Sequence, residues 1–117
     1  MTIDRVVVAD DDDVVITAGA MKVDSEGDPG FVLSITNKTP GKVYAYSGAG
    51  WSVKGSDVDD AVLRTVVDPG QTIEEFMWFD RRDLGGSALS NLADVEGTIV
   101  IEDYDTAAIV GEYAFKA

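Results

Sequence analysis

The side chains best suited to chemistry in this sequence are carboxylates, which recur in short clusters. Asp24, Glu26 and Asp28 alternate along one stretch, and Asp103 and Asp105 repeat the pattern near the end of the chain. Calcium binds six to eight oxygen atoms, often from carboxylates that alternate in a loop. Because turns from different strands can converge at one end of a domain, these five residues are the candidate calcium ligands. The alternative is that they are solvated turn acids.

The chain contains no histidine and no cysteine. Histidine is the usual general base near neutral pH, and both residues are the common ligands of zinc. Paired carboxylates could in principle hydrolyse glycosides, but a chain this short leaves little room for a substrate groove. We therefore expect no enzyme activity, no catalytic residues and no cofactor, with calcium as the one ion considered.

Aromatic residues supply a second candidate site. If Tyr44, Tyr46 and Trp78 share an outer sheet face, they form a flat platform for a sugar or a peptide. The alternative is that Trp51 or Trp78 fills the core, as tryptophan commonly does in β-sandwiches.

The elements that must position these residues are predicted to be strands. Apolar and polar residues alternate with a period of two, as at Phe31, Leu33 and Ile35, which is typical of half-buried strands. Turn sequences such as Asp68-Pro69-Gly70-Gln71 separate the alternating runs. Seven or eight short strands with turns between them predict an all-β, immunoglobulin-like, two-sheet sandwich.

The pattern predicts a single domain over residues 1–117. Residues 1–13 are expected to be a loosely attached N-terminal segment, unless residues 6–8 pair at a sheet edge. One long strand is predicted over residues 58–67. Around residues 81–92, loosely spaced leucines predict one short helical turn, which Gly85 and Gly86 keep from lengthening.

Charge narrows the possible partners. The chain has twenty-two acidic and nine basic residues, which give a net charge of −13. Phosphate binding requires clustered lysine and arginine, so nucleic acid is not expected as a partner. A bilayer-spanning helix needs about 20 apolar residues, and no such run occurs, so no direct membrane insertion is expected. A protein or a glycan remains as the partner, with the chain a monomer or a weak dimer.

Four stretches in order resemble a known family. They are residues 28–39, with a strand leading into Thr36-Asn37-Lys38-Thr39, and residues 51–55, 67–72 and 96–101. This series is similar to immunoglobulin-like domains of Gram-positive bacterial envelope proteins and lipoproteins. The resemblance implies an extracellular or cell-envelope location and a non-catalytic role. The sequence departs from lipoproteins in lacking a lipidated cysteine, and from antibody domains in lacking a disulfide pair.

Together these observations predict a non-catalytic binding or structural module of a bacterial cell-envelope protein. Two alternatives stay open: a calcium-stabilised adhesion-type module, and a carbohydrate-binding module that uses the exposed aromatic face.

Overall fold

The computed structural model describes residues 2–59 and 61–117, and it consists almost wholly of antiparallel strands. The first six strands are β1 (Thr2–Asp10), β2 (Val14–Val23), β3 (Pro29–Asn37), β4 (Val43–Ser47), β5 (Ser52–Val53) and β6 (Ser56–Asp57). The remaining strands are β7 (Ala61–Val62), β8 (Arg64–Val67), β9 (Thr72–Phe79), β10 (Val95–Asp103) and β11 (Ile109–Lys116). One α-helical turn, α1 (Arg81–Leu84), and one 3-10 turn, Leu89–Asn91, lie between β9 and β10.

The strands form two sheets that pack face to face as a sandwich, which confirms the predicted fold class. The first sheet has the order β1-β2-β3-β9-β7. In the second sheet β10 is central, because β4 and β5 pair with its two halves and β11 pairs along most of its length. β8 flanks β4, and β6 flanks β5.

Alternation along the strands supplies the core. Phe31, Leu33 and Ile35 of β3 are buried, as are Met77 and Phe79 of β9. Each strand thus turns one apolar row inward, as the period of two predicts.

An aromatic cluster occupies the middle of the core. Trp51 is only 1 % exposed, and its ring centroid lies 5.8 Å from that of Phe79 and 5.5 Å from that of Phe115. Its indole N–H donates to the Gly48 carbonyl at 2.9 Å, so the polar edge of the ring is satisfied. Trp51 is therefore the core tryptophan that the sequence led us to expect.

The predicted turn at Asp68–Gln71 is confirmed, and a second tight turn occurs at Lys54 and Gly55. The Gln71 N–H donates to the Asp68 carbonyl at 3.1 Å, and Gly70 has a φ of 75°. Lys54 and Gly55 join β5 to β6 with φ values of 52° and 78°, which is the pattern of a two-residue hairpin turn.

The prediction of one long strand over residues 58–67 is wrong in one respect, because the chain changes sheets within this range. β7 pairs with β9 in the first sheet, whereas β8 pairs with β4 in the second. The buried residue Leu63 lies at the crossing, and Asp60 is outside the described residues. Over residues 2–59 and 61–117, such breaks give eleven strand segments where seven or eight strands were predicted.

The region after β9 contains two short helical turns where one was predicted. Asp80 caps α1 by accepting a hydrogen bond from the Arg82 N–H at 2.9 Å, and Gly85 ends the turn with a φ of 77°. The Arg82 guanidinium beside Asp80 lowers the pKa of that carboxyl to about 2. No helix among the described residues is both long and apolar enough to cross a membrane.

Most of the N-terminal segment belongs to the first sheet. β1 forms its edge and pairs with β2 from Thr2 opposite Ala20 to Asp10 opposite Val15. Two register shifts interrupt this pairing.

Candidate functional site

The five candidate calcium ligands do not come together. Asp24, Glu26 and Asp28 lie in the turn before β3, whereas Asp103 ends β10 opposite Val43, close to where β3 ends. The two acidic turns therefore lie at opposite ends of the sandwich, which corrects the expectation that they converge. Among residues 2–59 and 61–117, no three acidic side chains form a group that could hold a metal ion.

The first acidic turn uses its carboxylates to hold its own backbone. Asp24 Oδ1 accepts hydrogen bonds from the N–H groups of Glu26 and Asp28, both at 2.9 Å. Asp28 is largely buried and accepts from the Arg81 N–H at 3.1 Å and from the Arg81 guanidinium at 3.4 Å. The alternating acids thus anchor α1 to the β2–β3 turn.

The second acidic turn is organised in the same way. Asp103 Oδ1 accepts hydrogen bonds from the N–H groups of Asp105 and Thr106, at 3.0 and 2.9 Å. These bonds lower the pKa of Asp103, because they stabilise its ionised form. Turn formation alone explains why acids occur at these positions.

Tyr44 and Tyr46 do share a surface. Val43 and Ala45 of β4 are buried, so the two tyrosines project from the opposite, outer face of the second sheet. Their ring centroids lie 5.2 Å apart with an interplanar angle of 31°. The two rings therefore form one continuous aromatic surface.

Strand register places further residues beside this pair. Tyr44 lies between Val66 of β8 and Glu102 of β10, and Tyr46 lies between Arg64 and Val100. On β11, Glu112 pairs with Val100 and Ile109 pairs with Glu102. We call this surface the tyrosine face; its residues are Tyr44, Tyr46, Arg64, Val66, Glu102, Ile109 and Glu112, with Val100 only 5 % exposed beneath them.

The tyrosine face is both apolar and acidic. Val66 is 40 % exposed and Ile109 is 52 % exposed, although both are large apolar residues. Partial burial raises the pKa of Tyr46, and the charges of Glu102 and Glu112 raise it further. The Tyr46 hydroxyl therefore stays neutral within a negative field.

A small concavity lies beside the tyrosines where the chain crosses between sheets. Its volume is about 190 Å³, and its lining residues are Tyr44, Tyr46, Ser47, Val62, Leu63 and Arg64. The Ser47 hydroxyl donates to the Ala61 carbonyl, which ties β4 to the crossing strand. Both sheets thus contribute to the shape of this concavity.

Trp78 does not belong to the tyrosine face, which corrects the predicted three-residue platform. It lies on β9 in the first sheet, opposite Gly30 and Val62. Its chain neighbours Met77 and Phe79 are buried, so the half-buried Trp78 faces the outer side of that sheet. The aromatic residues predicted to lie together are therefore divided between the two sheets.

Two other surface aromatic rings are covered by lysines of this chain. Lys22 Nζ lies 4.9 Å from the ring centroid of Phe76, and Lys42 Nζ lies 5.5 Å from that of Tyr104. In the described part of the chain, no cation lies over Tyr44 or Tyr46 in this way. Arg64 flanks Tyr46 on the neighbouring strand but is not seated over either ring.

A larger concavity of about 400 Å³ lies on the outer face of the first sheet. Small residues, including Gly19 and Ser34, form its floor, and Arg5 and Glu74 contribute opposite charges. It has no aromatic ring among its lining residues. We therefore regard the tyrosine face, which combines aromatic, apolar and charged groups, as the better candidate site.

Sequence reasoning identified the two tyrosines but missed their neighbours. Alternation places Val100 and Glu102 opposite the buried Ile99 and Ile101, so their outward orientation could be predicted. That they lie beside the tyrosines depends on the pairing of β10 with β4, for which a single sequence carries no signal.

No family model matches the chain, and searches of curated proteins and of solved structures also found no match.

Proposed function

We propose that this chain is a non-catalytic binding module of a bacterial cell-envelope protein and that the tyrosine face is its binding surface. Support for the envelope setting comes from the ordered turn and strand motifs that resemble immunoglobulin-like envelope domains. Support for a binding role comes from the site itself, because half-buried aromatic and exposed aliphatic side chains grouped on one surface favour recognition.

The observation that carries the proposal is the outward pair of Tyr44 and Tyr46 on the same sheet face as the exposed residues Val66 and Ile109. The sandwich core does not need these side chains, since Trp51, Phe31, Phe79 and Phe115 already occupy it. Tyrosine suits an interface because it offers a large contact area at a low cost in side-chain entropy.

The test is to screen the protein against panels of peptides and of glycans, and to compare it with the double variant Tyr44→Ala/Tyr46→Ala. Binding should fall at least about tenfold in this variant, as expected when aromatic anchors are removed. Tyr104→Ala is the matched control, because Tyr104 is an exposed tyrosine on the β10–β11 turn. Equal loss in both variants, or no ligand that depends on the pair, would contradict the proposal.

A carbohydrate-binding module is the second candidate function, since the same tyrosine pair could stack against a sugar ring. It has less support than protein binding, because Trp78 lies in the other sheet and the aromatic platform is limited to two adjacent rings. Tyrosine-dependent retention of a glycan, with no peptide retained, would favour it.

The calcium-stabilised module has the least support, because its five proposed ligands lie in two separate turns. Each turn already uses a carboxylate oxygen to accept backbone hydrogen bonds. We expect the melting temperature to be the same in millimolar calcium and in chelator, since a ligand that binds the folded state would raise it. A calcium-dependent increase of several degrees that Asp103→Asn removes would restore this alternative.

A further inference from the structure

Two carboxylates on the tyrosine face have no basic partner in the part of the chain that the structure describes. In residues 2–59 and 61–117, neither Glu102 nor Glu112 forms an ion pair. Glu96, which is on the same strand as Glu102, is paired with Lys116 at 3.2 Å. Glu102 lies directly opposite Tyr44, and Glu112 lies two strands from Tyr46 in the same row, with Val100 between them. The uncovered rings and the unpaired acids therefore occupy one surface.

The chain shows elsewhere how its surface aromatic rings are covered. Phe76 and Tyr104 each have a lysine ammonium within 5.5 Å of the ring centroid. Such a cation is attracted by the negative face of the ring, and a nearby carboxylate adds to the attraction. The tyrosine face supplies rings and carboxylates, and among the described residues no cation is seated over its rings, although Arg64 lies beside Tyr46.

We propose that the tyrosine face binds an extended, lysine- or arginine-bearing segment of a partner protein, an inference that rests on the binding role proposed above. Charge complementarity selects this occupant, because the whole chain carries a net charge of −13. The segment's aliphatic stems would cover Val66 and Ile109 while its charged ends reach the rings and the glutamates. Arg64 lies opposite Tyr46, and its positive charge should weaken the affinity for a cationic segment.

The test uses an eight-residue peptide of alternating lysine and serine, with fluorescence anisotropy as the measure of binding. Glu102→Gln and Glu112→Gln should each weaken binding about threefold, and Arg64→Gln should strengthen it by a similar factor, as surface ion pairs do. Glu96→Gln is the matched control, because it removes the same charge from the same strand beside Lys116. The melting temperature of each variant verifies that it is folded.

Several results would overturn the inference. Weakening by Glu96→Gln equal to that by Glu102→Gln would mean that the attraction is diffuse. Equal binding of a peptide with acetylated lysines, or no binding at millimolar peptide, would exclude a role for the cation.

The inference and the proposed function can fail separately. If a neutral peptide or a glycan requires the two tyrosines while the lysine peptide does not, the binding surface stands and the cationic partner is wrong. If no ligand depends on the tyrosines, both are wrong.

Tyr44→Phe/Tyr46→Phe, which keeps both rings, should retain binding of the lysine peptide.

Discussion

Asn37 shows how one buried polar residue can join three segments of chain. Its side-chain N–H groups donate to the carbonyls of Gly41 at 2.8 Å and Val67 at 3.0 Å. Its side-chain oxygen accepts from the N–H of Thr39 at 2.9 Å and from the Thr39 hydroxyl at 2.7 Å. The whole hydrogen-bonding capacity of a fully buried amide is therefore used.

Asn37→Ala should lower the free energy of unfolding by about 2 kcal/mol or more, because it removes the amide donor from the Val67 carbonyl in a buried site. Asn37→Asp should destabilise the fold further, since it replaces a buried donor with a charge. Urea unfolding of the two variants measures both effects. Wild-type stability in Asn37→Asp would show that the amide donors contribute nothing.

Gly97 is required for a different reason, which is its close approach to Trp51. A methyl group at this position would overlap the indole ring, and that ring already contacts Phe79 and Phe115. Gly97→Ala should therefore destabilise the fold by about 1–3 kcal/mol through overpacking.

Gly19→Ala is the matched control for Gly97→Ala. A methyl group at Gly19 would enter open space, and its φ lies outside the left-handed region. Its effect should stay within about 0.5 kcal/mol. Similar denaturant midpoints for the two variants would contradict the role assigned to the contact with Trp51.

At the scale of elements, one hydrogen bond joins the last strand to the first turn. The Tyr113 hydroxyl of β11 donates to Asp11 Oδ2 at 2.7 Å, in the β1–β2 turn. This bond lowers the pKa of Asp11, while burial and the same bond raise the pKa of Tyr113. The contact therefore connects the edge strands of the two sheets.

Tyr113→Phe should lower the melting temperature most between about pH 5 and pH 9. Asp11, with a lowered folded pKa, stabilises the fold above its unfolded value of about 4, and this contribution is lost as pH falls. Tyr113, with a raised folded pKa, stabilises it below about pH 10, and this contribution is lost as pH rises. The difference in melting temperature between Tyr113→Phe and wild type should become smaller at low and at high pH. The control, Tyr104→Phe, should show no such pH dependence.

Comparison of elements also shows what the sequence could predict. The inward rows of β3 and the outward pair Tyr44 and Tyr46 follow from alternation within one strand, which is a local pattern. The separation of Trp78 from that pair follows from strand order, and the distance between Asp24 and Asp103 follows from which strand ends meet. Alternation is the same whatever the pairing, so no local signal could have settled these long-range relations.

At the scale of the whole molecule, charge and edge structure both oppose self-association. The net charge of −13 makes copies of the chain repel each other at neutral pH. The two register shifts in β1 interrupt the edge of the first sheet, although Val7 on that edge is 59 % exposed.

The protein should therefore associate as the pH approaches its isoelectric point of about 4.1, where the repulsion vanishes. Light scattering at pH 4 and pH 7 measures this. Val7→Lys should reduce the association at pH 4, because it adds charge to the exposed edge. Strong scattering at pH 7, or no effect of Val7→Lys, would show that another surface governs association.

The passage of the backbone from β7 through Leu63 to β8 has a consequence for mechanics. Only Leu63 separates β7, which pairs with β9 in the first sheet, from β8, which pairs with β4 in the second, so sliding one sheet past the other would strain backbone hydrogen bonds in both. The concavity beside Tyr46 lies at this crossing between the sheets. A ligand bound there would contact both sheets at once and should slow amide hydrogen exchange in both of them.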